Sequence, residues 1–450
     1  MAFSLQVLAF ILLCSAVSIS ICYGDCPQND WFGDSRCPYQ CHCEDNRNCG
    51  ARSGVCSDRC KLGWFGPSCQ YLSSEFSPAA GEPEVTWLAD DNHMTCNVRD
   101  DQTIAVALRR PHLLTWVRVR VRDTDGLESL QLGYRTLDQP DKDVTCMDAQ
   151  MTRVDDMTID IACRSSVVVG HVTLSGRCVK HLCSLHISAG RNVALRQVNA
   201  RQSSTFSNWF ARNAVDGDIG PVDGSDTQLR RTCTHTDSYY QDAWWSLTFS
   251  TAVHLSEVVI YNRRNPSRTG CCEIRLVGFT LKAFKDSAEQ NELYSYTDPR
   301  TDYLDEYYLL PSPALTEPVK KIKIFKSSNS EILTLCEVVA LGENACPPGR
   351  FGLECERQCN CANQEATCFV STGGCPSGCA AGYKGEDCWT ECVRGRYGQE
   401  CKEPCSEHCA DPRNYCDAVT GSCLDGCIAG FQPPLCKEVL TEIWSKTTGP

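Results

Sequence analysis

Three features are scarce or missing in this 450-residue sequence. After residues 5–21, no apolar run reaches the length that a bilayer-spanning helix needs, so we expect no membrane span in the mature chain. No nucleophile-elbow, metalloprotease or nucleotide-binding motif occurs, and we therefore expect no enzymatic activity. Positive charge is in deficit, since the net charge is -13, and this argues against a general nucleic-acid partner.

Secretion is predicted by two features that the sequence does have. The apolar run of residues 5–21 is too short for a membrane span and is followed by the small residue Gly24, which predicts a signal peptide over residues 1–24, although the usual basic residues before the run are missing. The chain also has 35 cysteines, and thiols at that density persist as disulfides only in an oxidising compartment. We expect an extracellular protein of several modules, because 450 residues exceed a single core.

Three segments share one cysteine frame. The gaps between cysteines are 10, 3, 1, 5, 6, 3 and 8 residues in the first, 8, 3, 1, 6, 6, 3 and 8 in the second, and 8, 3, 3, 6, 6, 3 and 8 in the third. We name them the N-terminal (25–71), middle (345–389) and C-terminal (390–437) cysteine units, and a polar tail (438–450) follows. They resemble the EGF-like modules of laminins and multiple-EGF scavenger receptors. Zinc binding by the paired cysteines is the alternative to disulfides. The spacing leaves the disulfide connectivity open. For the function of these units, a plain spacer role is favoured over specific binding.

The intervening residues 76–342 have few cysteines and many short runs in which apolar and polar residues alternate, which is typical of strands. Their length predicts a mostly β architecture of two β-sandwiches, 76–189 and 190–342, joined near Gly190. On one predicted strand, Arg118, Arg120 and Arg122 share a face. Polyanion binding is one interpretation of that face, but a solvated surface is favoured.

The second predicted sandwich carries an ordered series of motifs. They are Asn-Val-Ala-Leu (192–195), Gln-Ser-Ser-Thr (202–205), Asn-Ala-Val-Asp-Gly-Asp (213–218), Thr-Cys-Thr-His (232–235), Trp-Trp (244–245), Tyr-Asn-Arg (261–263), Cys-Cys (271–272) with Arg275, and Leu-Cys-Glu (335–337). In this order they closely resemble the F-type lectins, or fucolectins. The resemblance implies a fucolectin or discoidin-like jelly-roll β-sandwich in which Cys233 pairs with Cys336.

The resemblance also implies a sugar site. His235 and Arg275 would hold the hydroxyls of fucose, and a Cys271–Cys272 disulfide would contact the apolar edge of the sugar. Such a bond would be strained, because consecutive Cα atoms are about 3.8 Å apart, and pairing of each cysteine elsewhere is the alternative. The family's arginine is normally followed by an aspartate before the two cysteines. Here Gly270 occupies the aspartate's position, so either Arg263 or Arg268 is the third ligand, and fucose specificity depends on this departure.

Calcium is the expected cofactor of this sandwich. Carboxylate, amide and backbone oxygens suit its flexible, high-coordination shell. Side-chain oxygens of Asn213, Asp216, Asp218 and Glu337 are the expected ligands. The resemblance to F-type lectins implies in addition a structural ion held by the backbone carbonyls of Asn213, Thr232 and Cys336. An ordinary Asp-Gly turn at 216–217 is the alternative interpretation.

The first sandwich has a faint echo of the second. Its Leu-Ala-Asp-Asp (88–91) precedes Cys96, and Leu-Cys (182–183) lies near its end. We interpret it as a degenerate galactose-binding-like copy in which Cys96 pairs with Cys183, one of Cys146, Cys163 and Cys178 is left over, and no sugar binds.

Two functions follow from this organisation. The first is a secreted protein that binds fucosylated glycans on microbial or host surfaces, in innate recognition or cell adhesion, with oligomerisation supplying avidity. The alternative is a non-enzymatic, scavenger-receptor-like adhesion protein whose sugar site is inactive.

Overall fold

The computed structural model confirms a mostly β fold. It describes residues 31–440 except 33–36, 38, 45–48, 51–53, 55, 57–58, 82–83, 93, 98, 148, 221–231, 238–241, 265–271, 327–331, 386–387, 412 and 414. The predicted signal peptide and most of the polar tail lie outside the described residues. Within those described, no helix combines the length and apolar character needed to cross a membrane.

The N-terminal cysteine unit consists of two small hairpins. Each pairs two short antiparallel strands, and a 3-10 turn, Pro67–Cys69, precedes the last strand. The strands are β1 (Trp31–Phe32), β2 (Tyr39–Gln40), β3 (Trp64–Phe65) and β4 (Tyr71–Leu72).

The first sandwich packs a five-stranded sheet, in the order β5-β6-β12-β8-β9, against a four-stranded sheet, in the order β10-β11-β7-β13. Alternation selects the core face: Val117, Val119 and Val121 of β7 are buried, as the sequence pattern predicts. Three 3-10 helices connect strands: Thr86–Ala89, Leu127–Ser129 and Arg177–His181. The strands are β5 (Phe76–Pro78), β6 (Thr103–His112), β7 (Trp116–Val121), β8 (Gln131–Thr136), β9 (Val144–Thr145), β10 (Gln150–Asp155), β11 (Thr158–Ala162), β12 (Val169–Ser175) and β13 (Leu182–Ser188).

The arginine face of β7 is largely neutralised by the protein itself. Arg118 makes two hydrogen bonds to Asp160, of 2.7 and 2.9 Å, and Arg120 lies 3.2 Å from a carboxylate oxygen of Asp155. Because these charges are already paired, the face offers little to a polyanion. It is not the solvated surface that was favoured either, since Asp160 is fully buried and accepts a hydrogen bond from the Ser371 hydroxyl of the middle cysteine unit.

The second sandwich is organised by one 18-residue strand, β16. Its first half pairs with β15 and β20, and its second half pairs with β19 and β21, with register shifts between Thr248 and Val253 and between Leu255 and Glu257. Such bends allow one strand to serve both layers of a sandwich. Two 3-10 helices are Ala211–Ala214 and Glu273–Leu276. The strands are β14 (Arg191–Asn192), β15 (Ala200–Gln202), β16 (Trp244–Tyr261), β17 (Thr280–Phe284), β18 (Glu292–Thr297), β19 (Glu306–Leu309), β20 (Val319–Phe325) and β21 (Glu337–Asn344).

The middle and C-terminal cysteine units continue the hairpin pattern. In both units the first cysteine pairs with the second, the third with the fifth, the fourth with the sixth and the seventh with the eighth. Because these sulfurs are in disulfides, they are not available as thiolate ligands for zinc. The strands are β22 (Arg350–Phe351), β23 (Arg357–Gln358), β24 (Tyr383–Lys384), β25 (Thr390–Glu391), β26 (Arg396–Tyr397) and β27 (Glu403–Pro404), with a 3-10 turn at Gln399–Cys401.

Each sandwich contains one disulfide with an unusually short Cα–Cα distance. Cys96 is bonded to Cys183 and Cys233 to Cys336, the two pairs expected from the sequence, with Cα–Cα distances of 3.9 and 3.8 Å. Both distances are shorter than the usual 4.4–6.8 Å, so in each sandwich the bond joins two closely apposed segments. Their common position and geometry are consistent with the degenerate-copy interpretation. Cys178 is a buried free thiol, and Cys146 pairs with Cys163.

Three modules meet around one buried carboxylate, Glu343 of β21. Tyr71 of the N-terminal unit donates its hydroxyl to Glu343 at 2.9 Å, and the indole of Trp116 in the first sandwich donates at 3.3 Å. Phe65 and Phe369, from the N-terminal and middle units, pack in the same aromatic cluster. These two cysteine units are therefore built into the body of the protein, and a plain spacer role does not describe them.

Candidate functional site

The Cys233–Cys336 bond joins two segments that carry most of the predicted site residues. Beside the bond, the Thr234 amide donates to the Leu335 carbonyl at 2.6 Å, and the Leu335 amide donates to the Thr234 hydroxyl at 3.0 Å. His235 follows one cysteine by two residues, and Glu337 follows the other directly. The covalent and hydrogen-bonded pair of segments therefore fixes a histidine and a carboxylate within one rigid element.

His235 is held in one orientation and one charge state. Its Nδ1 lies 2.7 Å from the Thr236 carbonyl, which only accepts, so Nδ1 carries the proton and Nε2 is an acceptor. Nη1 of Arg275 lies 3.0 Å from Nε2 and donates to it. Burial lowers the pKa of His235, and the charges of Arg275 and Arg263 lower it further. The imidazole is thus neutral at pH 7 and presents Nε2 as a hydrogen-bond acceptor.

Two aromatic side chains that the sequence analysis did not single out surround this imidazole. The ring centroids of Phe206 and Trp209 lie 4.8 and 5.5 Å from that of His235, and the guanidinium of Arg263 lies 4.7 Å from the Trp209 ring. Gln202 holds their loop by donating from Nε2 to the Trp209 carbonyl at 2.9 Å. Phe206 is 49% exposed and presents an apolar surface beside the polar groups. The only signal in the sequence was the concentration of aromatics directly after Gln-Ser-Ser-Thr.

The end of β16 places the predicted arginines. Nδ2 of Asn262 donates to the carbonyls of Glu273 and Leu304, both at 2.9 Å, and this ties the strand end to the short helix that carries Arg275. Arg263 and Arg275 therefore flank His235. Cys272 is disulfide-bonded and buried at the start of the helix. Cys271 and Arg268 lie outside the described residues, so the adjacent-cysteine bond and the role of Arg268 stay predictions.

Glu273 supplies a carboxylate near the arginines, although Gly270 lacks one. It is 4% exposed, accepts the Cys272 amide at 3.1 Å, and its negative charge opposes the lowering of the Arg275 pKa that burial causes. A buried carboxylate beside a guanidinium favours its charged form. Glu273 was not expected from the sequence, because the family's acidic residue precedes the two cysteines and Glu273 follows them.

Glu337, which directly follows Cys336 of the Cys233–Cys336 disulfide, forms a group of carboxylates with Asp216 and Asp218. Glu337 is 1% exposed, and its Oε1 accepts the Gly217 amide at 3.3 Å. Its Oε2 is buried and has no hydrogen-bond partner among the residues that the structure describes. Burial raises the pKa of Glu337 well above its usual range, and the charges of Asp216 and Asp218 raise it further. Burial and the neighbouring charge of Asp218 also raise the pKa of Asp216, to about 6.

These groups fit a bound cation. Uncompensated buried carboxylates are costly, and a divalent ion with oxygen preference removes that cost. Asn213, Thr232 and Cys336 are buried beside the same segments. The side-chain Nδ2 of Asn213 donates to the Cys233 carbonyl at 3.0 Å. This bond anchors residues 213–218, which we call the cation loop.

The first sandwich lacks a comparable arrangement in its described part. Asp91, in the segment that resembles the cation loop, pairs with His186 at 2.9 Å and accepts the Gly63 amide at 3.2 Å. Asp90 accepts hydrogen bonds from Asn92 and Thr95. Each carboxylate already has partners, so neither resembles the unpartnered oxygen of Glu337, and the absence of a sugar site in this copy stays a prediction.

Comparisons with known proteins place the second sandwich in a broad class. The family model for the NedA-like, galactose-binding domain matches residues 213–312. A fucose-binding module from Streptococcus pneumoniae, SpX-3, is 29% identical, covering 33% of this chain and 96% of its own, with a TM-score of 0.27. The lectin domain of lectinolysin, solved with Lewis B antigen, is 24% identical over 34% of this chain and 96% of its own, with a TM-score of 0.28.

A fucolectin from striped bass (Morone saxatilis) serum is 19% identical, covering 61% of this chain and 96% of its own, with a TM-score of 0.28. No curated protein matches the chain significantly. The family model overlaps the cation loop, His235, Arg263 and Arg275, which are the residues that the structure brings together. Residues 213–312 of the second sandwich thus match the model of a galactose-binding domain.

Proposed function

We propose that this protein is a secreted, non-catalytic lectin whose second sandwich binds terminal fucose on microbial or host glycans. The observation that carries the proposal is the contact between His235 and Arg275, whose Nε2 and Nη1 atoms lie 3.0 Å apart beside the exposed ring of Phe206. It combines an acceptor, a planar multiple donor and an apolar surface in one place.

Each part suits a 6-deoxy sugar. The unprotonated Nε2 of His235 would accept a hydrogen bond from one sugar hydroxyl in place of the bond from Arg275, and the Arg275 guanidinium would then donate to neighbouring sugar oxygens. Phe206 provides an apolar contact for the methyl group that fucose carries in place of a hydroxymethyl. L-galactose, which carries that hydroxymethyl group, would bring a hydroxyl against the ring, and a hydroxyl that loses water without gaining a partner costs about 1–3 kcal/mol, or roughly 5- to 150-fold in affinity.

Calcium is proposed as the structural cofactor of this site. Asp216, Asp218 and Glu337 would supply carboxylate oxygens, and Asn213, Thr232 and Cys336 backbone carbonyls. The ion would neutralise the buried carboxylates and brace the segment from Thr232 to His235. We expect it to act on the sugar site through that segment and not by contact with the sugar.

A glycan array of the secreted protein in calcium tests the proposal. Fucosylated glycans should bind, and His235→Ala should abolish binding because it removes the acceptor. His408→Ala is the matched control, since that histidine also stacks on an aromatic ring, Phe431, with centroids 3.6 Å apart, but lies in the C-terminal unit. A folded protein that binds no fucosylated glycan, or binds unchanged with His235→Ala, would instead support the adhesion protein with an inactive sugar site.

A further inference from the structure

In the part of the chain that the structure describes, Arg196 links the N-terminal cysteine unit to the cation loop. The Arg196 amide donates to the Val215 carbonyl in that loop at 2.6 Å. Its side chain extends the other way, where the guanidinium carbon lies 3.2 Å from the centroid of the Trp31 ring and Nη1 donates to the Cys37 carbonyl at 3.1 Å. One residue therefore spans from the loop to the cysteine unit.

The backbone of this turn favours that placement. Arg196 has a left-handed φ of +50°, which few non-glycine residues adopt without surrounding support. The preceding residue, Leu195, packs against the loop, since its Cδ1 would lie 3.1 Å from a Cβ added to Gly217. The turn is thus fitted to the loop on one side and to the unit on the other.

The charge of Arg196 matters because of what lies next to it. Its backbone is hydrogen-bonded to Val215, the residue directly before Asp216, so the arginine leaves the chain beside that carboxylate. Its described hydrogen bond nevertheless goes to the Cys37 carbonyl, and the flat guanidinium stacks on an indole that is 6% exposed. A guanidinium free of these contacts would turn to the nearby carboxylate, as arginine forms its strongest pairs with carboxylates.

We propose that the N-terminal cysteine unit is a positioning element for the cation loop, in which Trp31 and the Cys37 carbonyl hold the Arg196 guanidinium away from Asp216. This inference rests on the proposed calcium site. Held in this way, Arg196 stabilises the contact between the N-terminal cysteine unit and the second sandwich. The carboxylate of Asp216 stays available to calcium. Calcium affinity, and with it the order of the His235 segment, then depends on a module that contributes no ligand.

Calcium titration of the full secreted chain by calorimetry tests this directly. Trp31→Ala should weaken calcium binding about tenfold, because the released guanidinium competes for Asp216. Arg196→Lys should weaken it similarly without altering the cysteine unit, since a lysine keeps the charge but loses the planar stacking. Arg196→Met should bind at least as tightly as the wild type. The double variant Trp31→Ala/Arg196→Met should match Arg196→Met within about twofold.

The double variant separates positioning from mere structural support. If the unit only supported the fold, removing the arginine would not rescue Trp31→Ala, and a double variant as weak as Trp31→Ala overturns the inference. Tyr415→Ala is the matched control, because it removes a ring from under Arg394, at 4.8 Å, in the C-terminal unit, and it should leave calcium affinity unchanged. If the wild type binds calcium and Trp31→Ala binds it with the same affinity, the positioning role of the N-terminal unit is overturned and the calcium proposal is not. Absence of wild-type binding overturns the calcium proposal as well.

Discussion

Glu337→Gln should raise the free energy of unfolding when calcium is absent and lower it, relative to the wild type, when calcium is bound. The buried Glu337 carboxyl has a pKa raised well above its usual value, so its contribution to stability is complete at low pH and is lost as the pH rises. Each pH unit above the unfolded-state value costs about 1.4 kcal/mol, which gives an upper bound of about 3 kcal/mol at pH 7. The amide carries no charge, so without calcium the variant should be more stable than the wild type.

With calcium the order should invert. A ligand at roughly 1,000 times its dissociation constant stabilises the wild type by about 4.1 kcal/mol, which exceeds the deficit of about 3 kcal/mol, whereas the variant lacks a charged ligand and gains little. Differential scanning calorimetry in chelator should show the variant melting higher, by up to roughly 10 °C for a domain of this size, and in calcium the wild type should recover the lead. A variant that is less stable in chelator, together with a wild type that ignores calcium, would refute the reasoning.

Three further changes probe other parts of the structure. Glu343→Ala should lower the free energy of unfolding by about 3–5 kcal/mol, because it leaves the Tyr71 hydroxyl buried without its acceptor, and a loss below about 1 kcal/mol in chemical denaturation would contradict this. Burial lowers the pKa of His112 to about 4, so the free energy of unfolding should decrease by up to about 3 kcal/mol as the pH is lowered from 6.5 to 4. In His112→Gln this part of the pH dependence of stability should be missing. Because the Asp216 pKa is raised to about 6, calcium affinity should fall below pH 6, and calorimetry showing equal affinity at pH 7.5 and 5 would exclude this competition.

Local patterns in the sequence predicted the fold well where each strand has one buried face. The alternation of Trp116–Val121 identified β7, and the arginines between its valines do lie on the other face. The same rule does not describe β16, because a strand that bends into both layers changes which of its faces is buried. The contact of Tyr71 with Glu343, 272 residues apart, could not be read from any local pattern, and so the packing of the cysteine units was missed.

The site was predicted from residue types and not from surroundings. His235, Arg263 and Arg275 do converge, but no sequence pattern indicates that Arg275 donates to His235, the contact that makes the Nε2 atom of the histidine an acceptor. Phe206 and Trp209 were missed because aromatic residues in a loop look like core residues until their neighbours are known. Whether a residue faces a ligand or the core is decided by tertiary contacts, which single-sequence patterns do not contain.

Titration of L-fucose into the secreted chain in calcium tests the central claim most directly. We expect a saturable signal that L-galactose reproduces at least roughly fivefold more weakly, that Arg275→Ala removes, and that a chelator reduces because the His235 segment loses its brace. A folded, calcium-loaded protein that gives no saturable signal with fucose, or the same signal with L-galactose, would contradict this claim.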